Sequence, residues 1–104
     1  MKPSLYFLFC TSHKEAKNIR EVLLEKRLIA CGGTMDIKHS KYWWLGQYEE
    51  ASNEVLLLME SVEKNFAKME KEIRKIHSHK TFVLASFPIK TTNDVIKWLK
   101  EELK

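Results

Sequence analysis

Glu25–Glu50, EKRLIACGGTMDIKHSKYWWLGQYEE, joins the end of a helix to an apolar segment and then to an aromatic cluster before a glycine. The run Leu28-Ile29-Ala30-Cys31 reads as the start of a strand packing on a core. Tyr42, Trp43 and Trp44 are consecutive, so the alternation of a strand sends at least one ring to the face opposite the others. Between them Gly32-Gly33 weakens the strand and marks a bend. Leu45-Gly46-Gln47 supplies a turn, and Tyr48 to Met59 returns as a second long strand ending in the apolar run Val55-Leu56-Leu57-Leu58-Met59. Residues 28–59 therefore form a long hairpin.

Upstream, Leu5-Tyr6-Phe7-Leu8-Phe9-Cys10 is short and apolar throughout, the signature of a central strand covered on both faces. Ser12-His13-Lys14-Glu15 has capping-box spacing, and Ala16, Ile19 and Leu23 follow at helical intervals, predicting a helix from His13 to Lys26. Downstream, Val62, Phe66, Met69, Ile73 and Ile76 predict a second helix, with Ser61 as its cap. Phe82 to Phe87 reads as a strand closed by Pro88. A last helix starts at Thr91 or Thr92 and presents Val95, Leu99 and Leu103 on one face, widened by Ile96 and Trp98. The order β-α-β-β-α-β-α is an α+β, ferredoxin-like split βαβ sandwich with a long β-hairpin and an extra C-terminal helix, in one domain spanning 1–104. Two helices cover one side of its sheet. The apolar central strand requires that the third helix or other subunits cover the other side.

The 104 residues include 44% apolar and 31% charged residues, an ordinary globular balance. No apolar run approaches the roughly 18 residues of a membrane span, and Lys2–Cys10 lacks the features of a signal peptide, so a cytoplasmic protein is expected. Cys10 and Cys31 are too few for a disulfide framework and read as reduced and buried. The net charge of +4 comes from 15 lysines and three arginines interleaved with glutamates, a solvated-surface pattern that disfavours nucleic-acid binding.

Two groups of residues carry candidate chemistry. In the predicted topology the end of the first strand, at Cys10, approaches the start of the last, just after His79, so Cys10, His77 and His79 converge. A thiolate with imidazoles suits zinc or copper, softer Cu(I) above all. The second group is a pocket rimmed by Tyr42, Trp43, Trp44 and Tyr48, which either holds a small organic ligand or packs in a subunit interface. His13 and His39 are expected to face solvent. No nucleophile elbow, P-loop, paired-Cys motif or dinucleotide fingerprint is present, so nothing supports an enzyme.

Arg27-Leu28-Ile29-Ala30-Cys31, Ser40, Tyr42, Trp44, Gly46, Glu54-Val55 and the late Trp98-Leu99 together resemble the signature of the CutA divalent-cation tolerance proteins, over nearly the whole chain. The resemblance implies a non-enzymatic homotrimer assembled through the 28–59 hairpin, with a role in metal-ion binding and tolerance and a cysteine at the place of Cys10. Family members carry a His-Pro-Tyr stretch followed by Pro-Glu. Here His77 keeps the histidine, Ser78 and His79 replace Pro-Tyr, and Phe82 and Val83 stand where Pro-Glu would be. The missing glutamate removes an oxygen ligand. Gly32-Gly33 replaces a Val-Asn-like pair, and Glu60-Ser61 stands where Lys-Thr is common, which inverts a charge.

Two other classes share the fold. A small-molecule-binding regulatory trimer would seat its ligand between subunits. An RNA-recognition module is disfavoured because its third strand needs stacking aromatics, and Glu54–Met59 has none.

Overall fold

Strand β1, Pro3–Cys10, alternates between half-buried and buried at every position: Ser4, Tyr6, Leu8 and Cys10 are buried, and Leu5, Phe7 and Phe9 lie half-buried on the opposite face. The computed structural model describes residues 1–103. It continues through α1 (His13–Glu25), β2 (Cys31–Trp44), β3 (Gln47–Val62), a 3₁₀ turn (Glu63–Asn65), α2 (Phe66–Arg74), β4 (Leu84–Pro88) and α3 (Asn93–Glu102). The sheet order is β2-β3-β1-β4 with every neighbouring pair antiparallel, the expected split βαβ arrangement with the extra terminal helix. Among the described residues no helix is long and apolar enough to cross a membrane.

The core lies between one face of this sheet and the first two helices. Tyr6 pairs with Met59, Leu8 with Leu57 and Cys10 with Val55, so buried side chains meet side by side across β1 and β3. Ala16, Ile19 and Leu23 of α1 and Met69 and Ile73 of α2 close over them. Each such large side chain contributes on the order of 1.5–3 kcal/mol by leaving water. Ser12 caps α1 by accepting from the Glu15 amide, and Thr92 caps α3 by accepting from that of Val95.

Several boundaries differ from the sequence reading. Leu28-Ile29-Ala30 is not strand: β2 starts only at Cys31, after Arg27 takes a left-handed φ of 56° and the Leu28 amide returns to the Leu23 carbonyl. Leu28 and Ile29 are nevertheless buried, which is why their apolar run imitates a strand. Ser61 does not cap a helix, and Val62 is not helical. β3 extends to Val62 because that residue pairs with Pro3, so sheet pairing overrides the helical spacing. The Ser61 hydroxyl instead donates to the Leu28 carbonyl, which also accepts from Asn65 Nδ2 at 3.0 Å. The last strand starts at Leu84 rather than Phe82.

Gly32-Gly33 does not interrupt the hairpin, since Gly32 pairs with Met59 and Gly33 with Leu58 in continuous register. Gly32 serves a close approach: a Cβ there would stand 3.0 Å from Arg20 Cγ and 3.1 Å from Cδ, the stem that α1 lays across β2. The ladder is broken instead between Ile37↔Glu54 and His39↔Ser52, where Asn53 takes a left-handed φ of 61°. The turn is the two-residue Leu45-Gly46, with φ of 51° and 76°, positive at both central positions as a tight hairpin requires. Cys31, expected to be buried, is exposed.

The C-terminal end of helix α3 meets the segment between α1 and β2, where Arg27 Nη1 donates to both the carbonyl and the carboxylate of Glu102. It buries Leu99. On the open face of the sheet Phe7 lies 6.0 Å from Phe9 and 6.3 Å from Phe87, ring centre to ring centre, and Phe87 remains 43% exposed.

The shared carbonyl of Leu28 yields a test. Ser61→Ala and Asn65→Ala each leave it one donor and should each cost about 1 kcal/mol. The double substitution orphans it in the core, so chemical denaturation should show a loss larger than the sum of the two. Strict additivity would mean that water reaches the carbonyl.

Candidate metal centre

Cys10 ends β1 because Thr11 and Ser12 turn the chain into α1, and the same turn places Glu15 in the first turn of that helix, directly above the strand end. Across the sheet the Phe9 amide donates to the Val83 carbonyl at 3.2 Å, which brings the segment after α2 alongside. The His77 amide closes α2 on the Ile73 carbonyl at 2.8 Å. Its ring stacks on Phe82, with centroids 4.8 Å apart at 25°, and only 2% of the side chain is exposed. One sulfur, one carboxylate oxygen and one imidazole nitrogen, from Cys10, Glu15 and His77, thereby lie within 4.8 Å of one another.

The hydrogen bonds fix the protonation of the ring. His77 Nε2 lies 2.8 Å from the Phe9 carbonyl and 3.3 Å from Glu15 Oε1, both of them acceptors, so Nε2 carries the proton. Nδ1 accepts from the His79 amide at 3.1 Å and therefore holds the lone pair. Glu15 is held just as firmly. Its Oε1 accepts from the Thr11 amide at 3.1 Å, and its Oε2 from the Ser78 amide at 2.9 Å and the Thr11 hydroxyl at 3.2 Å.

Burial raises the Glu15 pKa, but the hydrogen bonds from Ser78 and Thr11 and the nearby His77 outweigh it and hold the carboxyl below the usual range. The Cys10 thiol is pushed up to about 12, first by burial and then by the charge of Glu15. It is a buried thiol whose only hydrogen-bond contact among the described residues is a 3.9 Å approach to the Leu8 carbonyl.

Of the three residues expected to converge, the structure brings together Cys10 and His77. His79 is exposed, lies with its ring centre 5.8 Å from that of His77, and contributes its backbone amide rather than its imidazole. Glu15 is the member that sequence reasoning missed. Its spacing from Ser12 assigned it to a capping box, and half of that box forms; but the carboxylate bonds the amide of Thr11 instead of that of Ser12, which leaves it facing the strand end.

The aromatic group does not form one pocket. Trp43 pairs with Tyr48 across the hairpin, their ring centres 5.0 Å apart, while Tyr42 and Trp44 pair with Glu49 and Gln47 and so share the opposite face. Both faces are open, with Trp43 at 72% exposure and Leu45, at the tip, at 85%. His13 is exposed as expected, though its Nε2 contacts Asp36 Oδ1 at 2.6 Å.

Fold and donor cluster together define a small ferredoxin-like protein with a buried thiol, carboxylate and imidazole of the kind that metal ions take. The profile of the CutA1 divalent ion tolerance proteins matches residues 4–102, and the chain belongs to that family. It is 32% identical to the divalent-cation tolerance protein CutA of Archaeoglobus fulgidus over 94% of this chain and 97% of that one. With the CutA of Thermotoga maritima it shares 33% identity over 88% and 90%. Among solved structures, the periplasmic divalent cation tolerance protein CutA from Archaeoglobus fulgidus superposes with a TM-score of 0.92 at 28% identity, over 98% of this chain and 99% of that one. The divalent cation tolerance protein from Thermus thermophilus gives 0.91 at 25%, over 98% and 99%.

Two outcomes follow from the electrostatics. In the native protein Cys31 should be alkylated first and Cys10 only after unfolding, as peptide mapping with and without denaturant would show. Because the folded Glu15 pKa lies below its unfolded value of about 4.3, the unfolded chain binds the proton first as pH falls. The stabilisation from Glu15 is thus complete above that value and is lost as pH drops through the folded one. Melting temperatures between pH 6 and pH 3 should fall less steeply for Glu15→Gln than for the native sequence.

Proposed function

We propose that this chain is a non-enzymatic, cytoplasmic, single-domain protein of metal-ion tolerance, working as a homotrimer that binds a soft or borderline ion, copper or zinc, at the end of β1. Cys10 and His77 would hold the ion, Glu15 lies against them, and His79 stands at the rim. The observation that carries this reading is the approach of the three donor atoms of Cys10, Glu15 and His77 to within 4.8 Å of one another in a buried site. Sulfur and imidazole nitrogen at that spacing, with a carboxylate against them, fit zinc or copper in type. The fit has a condition: Cys10 must give up its thiol proton, and His77 must move to Nδ1 the proton that Nε2 directs at the Phe9 carbonyl. When bound, the ion would supply charge and coordination at a place where this chain keeps its donors dry and aligned.

The trimer is supported by what one chain leaves open. β2 is a 14-residue edge strand, and an unpaired edge of that length invites pairing with another chain. Trp43, Leu45 and Tyr48 at the hairpin tip, and Phe87 and Val83 on the open face of the sheet, are exposed apolar groups that subunits would cover. Two free thiols and no disulfide accord with a reducing compartment. The second reading, a trimeric small-molecule sensor, draws on the exposed Trp43–Tyr48 ring pair. It requires a second copy to close the pocket, because the four aromatic residues point to two faces.

Native mass spectrometry of the reduced protein, with and without Cu(I) and Zn(II), tests both parts at once. Trimers carrying about one ion per chain, with the ion lost in Cys10→Ser and about one proton released per ion, are the expected result. Metal-free trimers would remove the ion from the proposal. Ligand effects that survive Cys10→Ser and vanish in Trp44→Ala would favour the sensor.

A further inference from the structure

We infer that Glu15 is a positioning residue for His77: its carboxylate clasps the segment after α2 to the end of β1 and fixes the imidazole with its proton on Nε2 and its lone pair on Nδ1. A carboxylate offers about four acceptor sites. Those of Glu15 take three hydrogen bonds, from the Thr11 amide at Oε1 and from the Ser78 amide and the Thr11 hydroxyl at Oε2, while His77 Nε2, bonded to the Phe9 carbonyl, stands 3.3 Å from Oε1. Both acceptor sites of Oε2 and one of Oε1 are taken while these contacts stand, and the remaining one faces His77 Nε2, so Glu15 serves the site through His77 rather than as a ligand itself.

The clasp joins the turn from β1 into α1 to a segment distant in sequence. Thr11 lies just beyond β1, Glu15 lies in α1, and Ser78 follows His77 after α2. A second contact reinforces it, since the Thr11 and Ser78 hydroxyls lie 3.1 Å apart. Without the carboxylate, the Ser78 amide would lose its acceptor, and the hydroxyl contact to Thr11, the stacking on Phe82 and the bonds of His77 and Val83 to Phe9 would hold the segment on the strand end. The ring would then be held less tightly, and Nε2 would lose the carboxylate that, beside the Phe9 carbonyl, favours its proton. The consequence for an ion is a closed resting site: entry requires His77 to leave the Phe9 carbonyl while Glu15 keeps the surrounding segment in place. The inference rests on the metal reading in one respect, that His77 is the ring the ion would take.

The test uses metal-free, full-length protein, so that its failure and that of the metal reading are separable. Nitrogen-15 spectra of the histidine rings report the tautomer, and hydrogen exchange reports the Ser78 amide. In the native sequence His77 should show one form, protonated on Nε2, and a protected Ser78 amide. Glu15→Ala should raise exchange at Ser78 by about tenfold and replace the single His77 form by a mixture. Glu15→Gln, with one acceptor oxygen in place of two, should fall between them, and it decides the matter where Glu15→Ala does not fold. A folded variant that retains both native signatures overturns the inference, as does a native His77 protonated on Nδ1. Zinc titration by native mass spectrometry runs in parallel. A native protein that binds no zinc would sink the metal reading and leave the result at Glu15 standing.

Discussion

The structure depends on a constraint at β1, which is paired along both edges and carries apolar groups on both faces. Its hydrogen bonds to β3 and β4 satisfy the backbone of a strand that water cannot reach on its helix side. Tyr6 illustrates the environment. Burial, with the charge of Glu63 adding to it, pushes its phenol up to about 12, and its hydroxyl donates to the Val62 carbonyl at 2.8 Å. Removing β1 would take Tyr6, Leu8 and Cys10 out of the surface that α1 and α2 cover and leave the hairpin without a neighbour.

The candidate centre follows from that constraint. A strand flanked on both sides must end where the chain turns into α1, and the segment following α2 must come down beside it to form β4. At the end of β1 a strand end, the first turn of a helix and a loop meet, and polar groups gathered there have to satisfy one another out of water. Glu15 and His77 do so with bonds to Thr11, Ser78, His79 and Phe9. Cys10 sits beneath them as a protonated thiol whose ionisation is opposed by burial and by the neighbouring carboxylate. Such a site is tightly ordered before any ion arrives, and binding competes with protons and internal hydrogen bonds rather than with water alone.

The far end of the molecule has the opposite character. The hairpin carries its aromatic residues into solvent, its turn holds Leu45 in a left-handed conformation that leaves the side chain 85% exposed, and Asn53 breaks the ladder midway along. A leucine at φ of 51° gives up local stability that asparagine or glycine would keep. The core has no use for this side chain, so its setting accords with an assembly that covers the tip.

The sequence by itself determined the order of elements, the amphipathic faces of the helices, the length of the hairpin and the meeting of Cys10 with His77, because periodicity and topology are local and combinatorial facts. It also carried the family signature, residue by residue. Only the tertiary structure decided the boundaries and partners that depend on contacts between distant segments. Val62 became strand rather than helix because Pro3 lies opposite it, and Ser61 left its expected cap for the Leu28 carbonyl. Gly32 proved to make room for Arg20 instead of bending the strand. Glu15 was hidden for the same reason: its spacing from Ser12 is fully explained by a helix cap, and nothing along the chain reveals that Thr11, Ser78 and His77 arrive around its carboxylate from three directions. Local spacing identifies what a side chain is able to do, whereas the packing of remote backbone decides which of those bonds it makes.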